Sequence, residues 1–181
     1  MIGIICAYIW YNEHKNGSLK LLLTSAYSFS SIVWAKITVA FSLIFLLQLY
    51  FWGLYAISGL LFQFKMPFPT ALFLWAILAS FFSIALVAIQ SYFSLRIKSF
   101  APPVALSMII GIFGFILTAQ NIILELGYIL PFSKLAASMN QMTSVNPEIT
   151  NLEWFKLGAY TVVIVLIFTS LQIRHFRKMV L

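Results

Sequence analysis

Aspartate is absent from this 181-residue chain, and all four of its acidic residues are glutamates. It has a single cysteine, Cys6, and two histidines, His14 and His175, far apart in sequence. One cysteine excludes an intrachain disulfide and a cysteine-built metal centre. Cys6 sits in an apolar run and reads as a small buried hydrophobe rather than a reactive thiol. No HExxH, Ser-His-Asp set, Walker loop or GxGxxG fingerprint occurs. The chain is therefore expected not to be an enzyme and to need no cofactor or metal of its own. An intramembrane enzyme would require paired His, Glu, Asp or Cys inside apolar runs, and these runs hold none.

Charge is the next scarcity. Charged residues make up 8% of the chain and hydrophobic ones 62%, against about 25% charged in an ordinary soluble domain. So few charges cannot clothe a soluble surface, so the expected solvent for most of the chain is lipid. The net charge of +7 could suggest a nucleic-acid partner. Its bases, however, fall singly or in small groups between apolar runs, with no basic stripe along one face, so no nucleic acid is expected. That punctuation is what the positive-inside rule produces.

What is present is a series of long apolar runs. A spanning helix needs about 20 mostly apolar residues, and four stretches meet or approach this: 37–64, 68–95, 102–124 and 157–173, the last extended to 154 by Trp154 and Phe155. None contains Lys, Arg, Asp or Glu. Lys65, Pro67 and Pro69 mark a tight hairpin between the first two, and Arg96, Lys98 and Pro102-Pro103 separate the next pair. Trp34, Trp52, Trp75 and Trp154 fall near span ends, as an aromatic belt requires. One side receives Lys15, Lys20, Lys36, Arg96, Lys98, Arg174, Arg177 and Lys178, the other only Lys65, Lys134 and Lys156. Eight against three places the first group in the cytoplasm. The expectation is thus one all-α, polytopic transmembrane domain over 1–181, multi-pass in the cell membrane, with a cytoplasmic tail at 174–181. Residues 1–11 are too short to cross and read as the end of an incomplete span or a reentrant start. Residues 120–153, broken by Glu125, Gly127, Pro131 and Lys134, read as an outer interfacial segment.

Ion-coupled transporters place ionisable groups inside their spans. Here the expected polar set is Gln48, Gln90 and Gln120 with scattered Ser and Thr, so a proton relay is not expected. These glutamines read as interhelical hydrogen-bonding groups or, alternatively, as a substrate path. Any uphill movement must draw its energy from a partner.

Residues 12–36 form a cytoplasmic segment. Ser18 or Asn16 suits an N-cap, and Leu19, Leu22, Leu23, Ala26 and Phe29 or Ser30 recur at helical spacing, with Lys20, Thr24 and Ser28 opposite. This pattern predicts a short amphipathic helix leading into the span near Ile37. It could lie on the membrane or dock a soluble protein. The run Glu13-x-x-x-Gly17-Ser18-x-Lys20-x-Leu22-Leu23, followed by Ile32-x-x-x-Lys36, resembles the motif of ABC-2 type transporter permeases. In that family an acidic residue ends the second span, Gly-Thr/Ser and Leu-Leu follow on a coupling helix, and a basic residue opens the third span. Ala26 departs from the family pattern, which commonly has proline there.

The resemblance implies a type V exporter-like domain lacking its first span and part of its second, and a homodimer or a pair with a similar permease. It also implies an ABC ATP-binding subunit docked on Glu13, Gly17, Ser18, Leu19, Lys20, Leu22 and Leu23. Apolar residues would supply contact area, and Glu13 and Lys20 the register. ATP would be hydrolysed on that partner, and an amphipathic substrate moved outward. The lead-in Trp10-Tyr11-Asn12-Glu13 further resembles permeases of the lantibiotic-immunity group, found in bacteria, which expel antimicrobial peptides. A drug or lipid exporter is an equal reading. A non-transporting four-span sensor or assembly factor is the rival from another class.

Overall fold

A computed structural model of the chain describes residues 1–15, 17–62, 70–119 and 151–180. The regular elements among them are all helices: α1 (Ile2–Lys15), α2 (Ser18–Thr24), α3 (Phe29–Leu61), α4 (Thr70–Phe82), α5 (Ile84–Arg96), α6 (Ala101–Ala119) and α7 (Asn151–Val180). Helix is the form these sequences must take in lipid, where each backbone N–H and C=O has to be satisfied within its own segment. Among the described residues, three helical stretches are long and apolar enough to cross a membrane: Phe29–Leu61, Ala76–Arg96 (which includes the Ser83 turn) and Trp154–Met179. The remaining expected span is represented by the shorter apolar helix Ala101–Gly114. The expected hairpin at Lys65, Pro67 and Pro69, and the outer segment up to residue 150, lie outside the described residues.

The boundaries differ from the sequence expectation for local reasons. The amphipathic pattern does not continue unbroken into the first span. α2 stops at Thr24, and α3 begins at Phe29, eight residues before the expected start. Ser28 sets that start, since its extended backbone and its hydroxyl, accepting from Ser31 N at 3.2 Å, form an N-cap. The second expected span is two helices, with Ser83 as a turn between α4 and α5. Ser80 and Ser83 donate back to the carbonyls of Ala76 and Ser80 at 2.9 and 2.6 Å, a bonding pattern that bends helices. Pro102 and Pro103 sit in the first turn of α6, where the missing N–H costs nothing.

α5 is the centre of the bundle and touches α1, α3, α4, α6 and α7. Cys6 meets Val87, Trp10 meets Ser91 and His14 meets Leu95, each pair 81 residues apart. A constant offset means that α1 and α5 run in the same direction. Phe82 stacks on Trp154 and Phe93 lies beside Phe168, so α7 runs parallel to them as well. α3 runs the other way, its first residue Phe29 stacked on Phe176 near the end of α7 at 5.8 Å.

Close-packed apolar side chains hold these helices together. Trp10, Val33, Ile37, Val87, Leu95 and Phe176 form the heart of the main core. A buried polar chain crosses it. Trp10 Nε1 donates to Ser91 Oγ at 2.8 Å, and Ser91 Oγ donates to Gln172 Oε1 at 3.0 Å. Gln172 Nε2 then donates to the Ala88 carbonyl at 3.3 Å. Between apolar surfaces in lipid, such bonds add about 0.6 kcal/mol each, and they fix register besides.

Candidate functional site

The motif residues of the 12–36 segment gather at the end of the bundle where α1, α5 and α7 finish. Glu13, in the last turn of α1, accepts hydrogen bonds from Lys36 Nζ and Ser18 Oγ. The Lys36 ammonium also lies 5.7 Å from the centre of the Trp10 ring. One carboxylate thus ties together the end of α1, the start of α2 and the second turn of α3. Partial burial pushes the Glu13 carboxyl upward, but the hydrogen bonds from Lys36 and Ser18 and the nearby Lys36 charge outweigh it. The net result is a carboxyl held below its ordinary value of 4.5.

Because Ser18 is committed to Glu13, it does not cap α2. The cap position is Gly17, in the left-handed region at φ 66°, with no side-chain cap bond. The chain reverses here at a conformation that costs other residues about 1–2 kcal/mol. The alternative cap, Asn16, lies outside the described residues.

On α2, Leu19, Leu22 and Leu23 are partly buried against the main core, so these leucines seat the helix on the bundle. Gly17, Lys20, Leu21 and Thr24 face outward, with Leu21 73% exposed. The expected site residues are therefore together in space but divided into two roles. Glu13, Ser18 and the leucines fix the helix, while Gly17 and Lys20 are presented, along with Leu21, which the sequence pattern did not single out.

The glutamines separate further. Gln48 lines a cavity of about 560 Å³ with Gly3, Ser80, Ser83, Ser107 and Gly111. Gln90 is fully buried and donates to the Pro103 carbonyl at 2.5 Å, tying α5 to α6. Gln120 lies outside the described residues. The polar set read from the spans omitted Gln172, although it stands inside the last apolar run. An amide in such a run is the signal that could have found the Trp10–Ser91–Gln172 chain.

The cavity opens between α1, α3, α6 and the α4–α5 turn. At ~1.5 Å per residue it lies roughly 20 Å in from the basic end, within the ~30 Å hydrocarbon core. α1 and α6 meet beside it so closely that a Cβ on Gly3 would fall 1.9 Å from Ser107 Oγ and 2.6 Å from its Cβ.

Long apolar helices, an ordered turn held by an ion pair at the basic end of the bundle and a cavity between the helices define a multi-pass α-helical membrane protein. The family model described as ABC-2 family transporter protein matches residues 1–114, from α1 through most of α6. The chain belongs to that family and is a permease component of an ABC transporter, which implies association with an ATP-binding subunit. No curated protein and no solved structure matches it.

Proposed function

We propose that this chain is the membrane subunit of an ATP-driven exporter in the cell membrane, energised through α2 by a separate ATP-binding subunit. The observation that carries this reading is the Glu13 junction. It holds a seven-residue helix at the basic end of the bundle while Gly17, Lys20, Leu21 and Thr24 face away from it. A helix fixed on one side and bare on the other transmits displacement. If a partner engages the bare side, a shift of α2 reaches α1 through Glu13–Ser18 and α3 through Glu13–Lys36. Lys20 then sets register more than affinity, as peripheral charges do.

The substrate class proposed is amphipathic and membrane-associated. Antimicrobial peptides of the lantibiotic kind are the favoured example, with a drug or lipid as the alternative. The subunit works as a homodimer or beside a second similar permease. In the Trp10–Glu13 lead-in, Trp10 is buried and Glu13 is tied to Lys36 and Ser18, so this likeness is one of framework rather than of a substrate contact.

The test is co-purification and ATPase stimulation with the partner subunit. Lys20→Glu with Leu21→Asp is expected to abolish both while membrane insertion persists. Unchanged association in that variant overturns the docking role of α2 and favours the non-transporting sensor or assembly factor.

A further inference from the structure

The seam between α5 and α7 changes character toward the basic end of the bundle. Its inner part is apolar, with Ala85, Ile89 and Ile164 buried against Phe93 and Phe168. Next, Tyr92 meets Phe168 edge-on, with ring centroids 5.7 Å apart. One turn further along α5, Arg96 Nη1 donates to Tyr92 Oη at 3.1 Å, and the guanidinium carbon lies 5.7 Å from the centre of the same ring. On α7, His175 stands two turns beyond Phe168 on the same face, and Lys178 nearly one further turn on. His175 is within electrostatic reach of Arg96, Lys178 and His14. Basic groups from three helices thus converge where the aromatic strip ends.

Among the described residues these bases have no acidic counterpart. Glu13 is bonded to Lys36 and Ser18, and Glu153 belongs to the opposite end of α7. The carbonyl ends of α1, α5 and α7 bring about half a negative charge each. Against them stand six full charges on exposed side chains, Lys15, Arg96, Lys98, Arg174, Arg177 and Lys178. The end of the seam therefore stays positive.

Arg96 carries five N–H donors in a planar fork, and the bond to Tyr92 holds that fork in place. Its remaining donors suit the paired oxygens of a phosphate. A soluble anion would satisfy the bases and leave the aromatic strip unused, while an uncharged lipid would do the reverse. We infer that this seam binds an anionic phospholipid from the adjoining leaflet. Arg96, His175 and Lys178 hold its phosphate, and its acyl chain lies along Tyr92, Phe93 and Phe168. The lipid is a bound constituent here, not cargo, so the site stands apart from the export reading.

The experiment uses the full chain purified in detergent and reads retained lipid by native mass spectrometry. Phosphatidylglycerol is the probe, and phosphatidylcholine with the same acyl chains is the control. Phosphatidylglycerol is expected to bind about tenfold more tightly or better. Arg96→Gln with Lys178→Gln should weaken it about ten- to thirtyfold, from the loss of two bases near an anionic headgroup. Lys15 lies over Tyr11, which meets Phe100 away from the seam, and Lys20 is on α2. Lys15→Gln with Lys20→Gln removes the same charge elsewhere and should change retention by less than about threefold. Arg96→Lys keeps the charge and gives up the fork, so its retention should fall between the two double variants. This milder change carries the test if thermal unfolding shows that the Gln pair destabilises the chain.

Equal retention of the two headgroups overturns the anionic ligand, and equal loss in the two double variants overturns the seam in favour of diffuse attraction. Displacement of the lipid by millimolar inorganic phosphate overturns it in favour of a soluble anion. If Arg96→Gln with Lys178→Gln releases the ATP-binding subunit and leaves lipid retention unchanged, these bases belong to a protein interface and the lipid site is overturned. Lipid retention is read without the ATP-binding subunit, so this site and the docking role of α2 fail separately.

Discussion

Gly17 and Glu13 decide where α2 points, and each does so by a different physical route. Gly17 supplies a backbone angle: at φ 66° any Cβ meets the carbonyl crowding that disfavours left-handed conformations. A Cβ there has open space around it, so the effect of Gly17→Ala is backbone strain alone. A loss of about 1–2 kcal/mol is expected, with Gly17→Asn retaining more stability than Gly17→Ala in thermal unfolding in detergent. Glu13 supplies a charge. Its folded-state carboxyl titrates below the ordinary 4.5, so it binds fewer protons folded than unfolded near that pH. Its contribution is complete above about pH 4.5 and is lost as the pH falls through the folded value. Amide exchange or a spin label on α2 is expected to show the helix loosening on acidification below that window. In Glu13→Gln the acid-dependent component should vanish, leaving α2 equally loose at neutral pH.

Among the elements, the α1–α6 contact is the tightest test of packing. Gly3→Ala is expected to push α1 off α6 and lower stability by about 1–3 kcal/mol, the usual cost of overpacking. Ser107→Gly should restore most of that loss, because both colliding atoms belong to Ser107. If Ser107→Gly gives no rescue in thermal unfolding, the close approach is wrong. This contact also shows where sequence reading stops. Span cores were legible because a run such as 37–64 without a charge has no other solvent than lipid. Glu13, Ser18 and Lys36 were legible as parts of one motif, but their joining was not, because the motif assigned Glu13 to a partner's surface rather than to Lys36 and Ser18. The use of the leucines was not, because spacing gives the apolar face of α2 but not which neighbour covers it. Nor was the turn at Ser83, where the hydropathy of the run is unbroken and only serine back-bonding marks it. The register of Trp10 on Ser91 joins residues 81 apart, a distance over which local periodicity carries no information.

For the whole molecule, sidedness is the property on which the rest is arranged. Cys6 is 1% exposed, so the native thiol should stay silent toward an impermeant maleimide. A thiol introduced at Leu21 is expected to label in inside-out vesicles and not in intact cells. Labelling from the outside would place α2 away from any ATP-binding subunit. Outward-facing apolar side chains such as Leu46, Ile57, Val163 and Ile167 give the bundle a surface suited to acyl chains or a second permease. The shared direction of α1, α5 and α7 has an electrical consequence. Their peptide dipoles add, bringing about half a negative charge per helix to one end, only partly offset by the amino ends of α3 and α6. Lys15, Arg96, Arg177 and Lys178 lie in the last turns of the parallel three. The basic residues expected to orient the chain in the bilayer therefore also neutralise the carbonyl ends of its own backbone.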